Sequence, residues 1–332
     1  MTRSTDSRRV RSRVTSLALA VLAALWLMPS GLAVAASITV TTVADENGSG
    51  PNCSLREAIA SANGDADVGG CVGVGTYGAD TIVFGSTLSL PATITLTDPA
   101  GALTVSSDVT ITGPGATQLA IDGNHTTQVF YIGTGHQVML SDLTIQHGNA
   151  NSDFGGGILN VGTLTLTNCT LRGNSAGIGG GITNYHTATL TNCTLSGNSA
   201  ADAGALYNFG STAKLTNCTL SENGVTILNF CVPILFDGCS PGSVTLTNTI
   251  IADSAGQSCG GSAITDGGHN LIEDATSSCG LTNGVNGDVV GSIRCSTRPA
   301  WRTTAARRRR SPCSPAARRS TPAIRGCAPT RR

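Results

Sequence analysis

Arg172, Asp153 and Asp202 are the side chains that could take a proton or act as a pair of catalytic carboxylates. A lyase needs a basic side chain to take a proton beside a uronate carboxylate, with Ca²⁺ as its usual helper. Arg172 and Lys214 are the only basic residues between positions 101 and 292. A hydrolase needs two carboxylates about 5–9.5 Å apart. Asp153 and Asp202 each stand just before a glycine-rich segment, about two sequence repeats apart, or roughly 9–10 Å if those repeats stack at strand spacing. The ordinary role of an aspartate at such a place is to shape a turn, and a lone arginine is ordinarily a solvated charge. The sequence therefore assigns no catalytic residue, and keeps these three as the positions to inspect. His147 and His186 read as isolated loop residues.

The cysteines divide into two sets. Cys53 and Cys71, Cys231 and Cys239, and Cys259 and Cys279 are close enough in sequence to close local loops as disulfides, although spacing does not fix pairing. Cys169, Cys193 and Cys218 form a regular series instead. Redox or metal chemistry is one reading of that series. Packing is the other, because free cysteine is among the most buried residue types, and equivalent side chains on stacked units point the same way, a poor geometry for a disulfide. No Cys-x-x-Cys and no Cys/His spacing of the zinc type occurs, so neither a metal nor a cofactor is expected.

These residues sit in a repeat. "LTNCTL" occurs at 166–171, 190–195 and 215–220, and "GGGILN", "GGGITN" and "AGALYN" occur at 155–160, 179–184 and 203–208. A repeat of about 24 residues buries its apolar face only by stacking on its neighbours. Within each copy the pattern has the strand period of two: Leu164, Leu166, Cys169 and Leu171 share one face, while Thr165, Thr167 and Thr170 share the other. The phase slips at the asparagine, which places Asn168, Asn192, Asn217 and Asn248 at a bend. Stacked, they would form a ladder of side-chain amides bonding one another and the backbone. Leu143 and Thr249 occupy the cysteine position in flanking copies, which favours packing over sulfur chemistry.

The formal net charge of zero hides a division. Between residues 37 and 292 there are 3 basic and 19 acidic residues, a net charge of −16. An acidic body argues against nucleic acid as a partner, since phosphate binding needs clustered Lys and Arg. At the N-terminus, five arginines precede the apolar run 17–28, followed by Pro29-Ser30-Gly31 and the small residues Ala33, Val34 and Ala35. That pattern predicts a secretory signal peptide over 1–36, cleaved near Ala36. The run is too short to span a bilayer, so no integral span is expected after cleavage.

"CSLREAIASAN" at 53–63 predicts the one helix of the body. Ser54 and Glu57 make a capping box, and Leu55, Ala58, Ile59 and Ala62 make an apolar stripe. Such a helix, which also holds Arg56, suits the end of a solenoid, where terminal units expose apolar faces and strand edges. "CSLREAI" followed by "DTIVF" at 80–84 resembles the bacterial CSLREAI-domain surface proteins, and "GGGI…N" with "LSGNSA" is similar to repeats of polymorphic outer-membrane proteins. The resemblance implies a right-handed parallel β-helix of the pectin-lyase type and a cell-surface setting. It does not imply a reaction, because this scaffold carries both enzymes and adhesins.

Residues 293–332 are rich in Arg, Pro, Ala and Ser. Shifted by one nucleotide, G/C-rich codons for "DPLL", "LADNGGPT" and "LLPGSPAID" give much of this segment. Those strings resemble the C-terminal region of the choice-of-anchor Q type in the same family, so the tail reads as an out-of-frame, disordered extension. The expected organisation is a signal peptide (1–36), a cap with the helix and first strands (37–100), β-helix repeats (101–292) and the tail. The expected function is non-catalytic: a secreted or surface protein with glycans or envelope components as partners; the sequence does not set its oligomeric state. A polysaccharide lyase or glycoside hydrolase is the alternative. Outward threonine rows (Thr167, Thr191, Thr216, Thr247; Thr165, Thr189, Thr245) could also meet ice or a crystal face.

Overall fold

The structure, a computed structural model, describes residues 35–291 except 49, 98, 235–237, 255 and 275–276, and no side chain of 232–241. Residues 1–34 of the predicted signal peptide (1–36) and the whole basic tail (293–332) lie outside the described residues. No helix among the described residues is long and apolar enough to cross a membrane.

The described residues form three long sheets, whose strands are parallel but for two antiparallel pairings, a short two-stranded parallel sheet and one helix. Each repeat feeds all three sheets. Thr163–Thr167 enters the first sheet, Thr170–Arg172 the second and Ile182–Asn184 the third; Thr187–Thr191 then returns to the first, directly beside Thr163–Thr167. The register is strict: Leu164, Leu166 and Thr167 face Ala188, Leu190 and Thr191. Alternation does the rest. Leu164, Leu166, Leu171 and Ile182 are fully buried and lie in a single core drawn from all three sheets. The threonines between them lie on the outside, where β-branched side chains suit a pleated surface.

The corner between the first and second sheets is made by the asparagines read from the repeat. Asn168, Asn192, Asn217 and Asn248 have φ of 54°, 55°, 55° and 48°. Asparagine is one of the few side chains that adopts this left-handed region at low cost. One residue in that conformation turns the chain from one sheet to the next and produces the phase slip seen in the sequence.

Helix α1 (Leu55–Gly64) begins at Ser54, whose side chain accepts from the Glu57 N–H while the Glu57 carboxylate accepts from the Ser54 N–H. Leu55, Ala58, Ile59 and Ala62 are buried against the first strands. Arg56 is also buried. It pairs with Asp45 at 2.7 and 3.0 Å and donates to the Gly101 carbonyl at 2.8 Å. The helix is thereby tied both to the preceding loop and to the next turn of chain. The Cys53–Cys71 disulfide closes the same region, and Cys259–Cys279 closes a loop near the other end. Cys231 is disulfide-bonded; the Cys239 side chain lies outside the described residues.

Candidate functional site

Two interior ladders fix the backbone that carries the most distinctive outer face. On the third sheet one inward position runs Val105, Ile132, Asn160, Asn184, Asn208, Asn229, in register from strand to strand. The four asparagines are fully buried. Asn160 Nδ2 donates to Asn184 Oδ1 at 2.7 Å, Asn184 to Asn208 at 2.8 Å, and Asn208 to Asn229 at 2.9 Å. A second row, Asn174, Asn198 and Asn223, accepts from the backbone N–H groups of Gly148, Asn174 and Asn198. It donates in turn to the carbonyls of Ile145, Leu171 and Leu195. Buried amides are stable only when satisfied, and here each is satisfied by its neighbour along the stack.

The residue after each ladder asparagine points outward. After Asn184, Asn208 and Asn229 come Tyr185, Phe209 and Phe230. With Phe154 and Tyr207 they form a continuous aromatic band. Phe154 meets Tyr185 edge-on with centroids 5.8 Å apart, and Tyr185 meets Phe209 edge-on at 5.6 Å. Tyr207 stacks on Phe209 at 6.1 Å and on Phe230 at 5.9 Å. Phe154 and Phe230 are 37% and 45% exposed, Tyr185 and Phe209 are half-buried, and Tyr207 is buried beneath its neighbours. The sequence has only 12 Phe, Tyr and Trp residues, so a cluster of five on one outer face is a concentration rather than a background level.

The rim of the band is polar and acidic. Asp202 stands across from Ile178, and Ile178 across from Phe154, so Asp202 lies in the row that leads to the band. Burial first, and the Asp202 charge second, push the Tyr207 phenol up; burial and then Tyr207 do the same for Tyr185. Both hydroxyls therefore keep their protons and remain donors. Asp153 falls one residue out of the Phe154–Ile178–Asp202 row, and both aspartates are exposed. No hydrogen bond joins Asp153 to Asp202, and neither contacts Arg172.

Arg172 lies on a different surface. The outward row of the second sheet places Asp122, Gln146 and Arg172 side by side. Arg172 donates through Nε and a terminal nitrogen to Gln146 Oε1 at 2.8 and 2.6 Å. Gln146 Nε2 donates to Asp122 Oδ2 at 2.7 Å, and His147 Nδ1 meets the same oxygen at 2.9 Å. Burial opposes the Asp122 charge, but bonds from the Asn124 N–H, His147 and Gln146 outweigh it and hold the carboxyl below its usual range. Arg172 also lines a groove of about 550 Å³ with Thr93, Ala120, Thr144 and Thr170. His147 is thus not the isolated loop residue expected from the sequence. It binds Asp122 and stacks on His125 at 4.6 Å.

The remaining sequence-derived positions are structural in their contacts. At the bend, Asn168 Nδ2 donates to Asp142 Oδ1, Asn192 to Asn168, Asn217 to Asn192 and Asn248 to Asn217, at 2.8–3.2 Å. These amides are exposed and bond along the ladder, whereas the side-chain bonds to buried backbone expected of them are made by the interior asparagines. Cys169, Cys193 and Cys218 are free and buried. Their thiols reach the carbonyls of Thr167, Thr191 and Thr216 at 3.3–3.4 Å, and the hydroxyl of Thr249 makes the same bond to Thr247 at 3.0 Å. Hydrogen bonds with Cys169 and then Cys218, together with burial, push the Cys193 thiol up. Among the described residues no group of three or more His, Cys, Asp or Glu side chains is placed to hold a metal ion. The middle outward threonine row is interrupted by Lys214 between Thr189 and Thr245, and begins beside Met139, 48% exposed.

Fold and surface together define a parallel-sheet repeat protein with an aromatic outer band. In comparisons with known proteins, no family model, no curated protein and no solved structure matches this chain.

Proposed function

We propose that the chain is a secreted or surface-attached right-handed parallel β-helix that binds glycans without turning them over. The observation that carries this reading is the band Phe154, Tyr185, Phe209, Tyr207 and Phe230. Aromatic faces carry negative charge density and attract the polarised C–H groups on the apolar face of a sugar ring, while phenol hydroxyls meet its hydroxyl groups. Exposed aromatics grouped on one face, here Phe154 and Phe230 backed by the half-buried Tyr185 and Phe209, mark an interaction surface. The acidic rim and a body charge of −16 (3 basic, 19 acidic residues over 37–292) select neutral or amino sugars over anionic ones. The N-terminal arginines and apolar run support export, and the CSLREAI resemblance supports an envelope setting.

The second reading, a polysaccharide-cleaving enzyme, is favoured by one observation: Arg172 lines the groove on the second sheet and is joined through Gln146 to the Asp122–His147 pair. The two readings separate in one experiment. The protein is incubated with a panel of soluble and insoluble polysaccharides, and both retention and released reducing ends or unsaturated uronates are measured. Saturable retention without products is the expected result. Products abolished by Arg172→Ala would establish the enzyme instead.

A further inference from the structure

Asp80 is a buried carboxylate in the first sheet. It is fully buried, and its Oδ1 accepts from the backbone N–H groups of Ala36 at 3.2 Å and Gly78 at 3.0 Å. Its Oδ2 is buried with no hydrogen-bond partner. Among the described residues no Lys, Arg or His forms an ion pair with it; the pairs present involve Asp45, Asp108 and Asp122. A lone buried carboxylate is costly and calls for a cation. The backbone group that already touches it belongs to Ala36, which follows the small-residue sequence Ala33-Val34-Ala35.

We propose that the chain is cleaved between Ala35 and Ala36 during export, and that the ammonium freed on Ala36 pairs with the buried Asp80 carboxylate and locks the first strand onto the first sheet. The step is a hydrolysis by a signal peptidase. Water adds across the Ala35–Ala36 peptide bond, Ala35 departs with a carboxylate, and the amine left on Ala36 takes up a proton. Ala36 is fully buried in the fold, so cleavage precedes folding. Before cleavage the Ala36 nitrogen offers Asp80 one hydrogen and no charge. After cleavage the same nitrogen offers three hydrogens and a positive charge, enough to serve Oδ2 as well as Oδ1. Strand Ala35–Val40 pairs in parallel with Thr76–Phe84, the strand that carries Asp80, so the new ion pair would clamp the outermost parallel strand of the sheet beside helix α1. Folding to full stability would then depend on processing. This inference rests on the export reading and is independent of the glycan face.

The test has two parts. Mass spectrometry of the secreted protein is expected to give Ala36 as the first residue. D80N is then introduced into two forms, one beginning at Ala36 and one retaining Val34 and Ala35. In the form beginning at Ala36, D80N lowers the thermal midpoint by about 10 °C, the loss expected on breaking a buried ion pair in a chain of this size. In the extended form D80N leaves the midpoint unchanged or raises it, because it removes an unpaired charge. If D80N prevents the processed form from folding, the extended D80N form still folds under this proposal. A chain that stays inside the cell, uncleaved, would overturn the proposal together with the export reading, whereas an uncleaved chain found outside the cell would overturn the proposal alone. A first residue other than Ala36, equal D80N shifts in the two forms, or loss of folding in both would overturn the proposal alone.

Discussion

Asn184 donates to Asn208 inside the core at 2.8 Å, with both residues fully buried and neither bonded to water-exposed groups through this contact. The same Asn184 amide also reaches the Ser211 hydroxyl at 3.0 Å and the Thr212 carbonyl at 3.1 Å, and its oxygen accepts from Asn160 at 2.7 Å. One side chain thus joins three successive strands of the third sheet. Asn184→Ala strands at least two buried partners at about 1–3 kcal/mol each, so a loss of about 2–5 kcal/mol is expected in denaturant unfolding.

The exposed ladder behaves differently. Asn192 has a φ of 55° and bonds only its ladder neighbours. Asn192→Gly keeps the backbone conformation and costs under about 1 kcal/mol, whereas Asn192→Val forces a β-branched side chain into the left-handed region at about 1–2 kcal/mol or more. Paired unfolding curves for the two variants distinguish a conformational role from a hydrogen-bonding one.

Cys193 is filling, with its proton held. Thr249 shows that a hydroxyl serves the equivalent position with an equivalent bond. Cys193→Thr is therefore expected within about 1 kcal/mol of the parent. A thiol reagent is expected to leave all three ladder cysteines unmodified in the folded protein and to label them on unfolding. Rapid labelling of the folded chain would return the series to redox or metal chemistry.

The last part of the described chain carries a pH response. Asp288 is buried, its Oδ1 accepts from the Asn270 N–H at 2.7 Å, and its Oδ2 has no partner. Burial, and then the Asp266 charge, hold its carboxyl above the usual range. The folded chain therefore keeps a proton that the unfolded chain releases. Stability falls as pH rises from 3.8 through the raised value. Asp266 works the other way: burial opposes its charge, but bonds led by Asn286 and Gly268 hold it low, so its contribution is lost as pH falls. Asp288→Asn is expected to raise the thermal midpoint near pH 7 and leave it unchanged near pH 3. Melting curves at the two pH values check both halves of that statement.

The sequence makes the parallel-sheet architecture legible wherever local chemistry and repetition agree. The period-two alternation of Leu164, Leu166 and Thr165, the slip at Asn168 and the capping box at Ser54 and Glu57 each depend on residues near in sequence. The interior ladders are not legible in the sequence of one repeat, for a physical reason. Asn160, Asn184 and Asn208 end the glycine-rich segments and read as turn material, because a buried amide is tolerable only when a partner lies on the next strand, a condition no single repeat displays. The signal was present in the shared final asparagine of "GGGILN", "GGGITN" and "AGALYN". The aromatic band is harder still to read, since Phe154, Tyr185, Tyr207, Phe209 and Phe230 lie outside the repeated "LTNCTL" segment and converge only through the stacking register. His147 looked isolated because its partner Asp122 lies one strand back, before the recognisable repeats begin.

The central claim is that the aromatic band binds glycans. The direct measurement is retention of the purified protein on insoluble neutral and amino-sugar polymers, cellulose and chitin, compared with a Phe154→Ala/Phe230→Ala double variant that keeps its unfolding curve. Saturable retention by the parent on at least one polymer, weakened about tenfold or more in the variant, about 1.4 kcal/mol of binding free energy, is the predicted result. Equal retention of both proteins, or none by the parent, would contradict it.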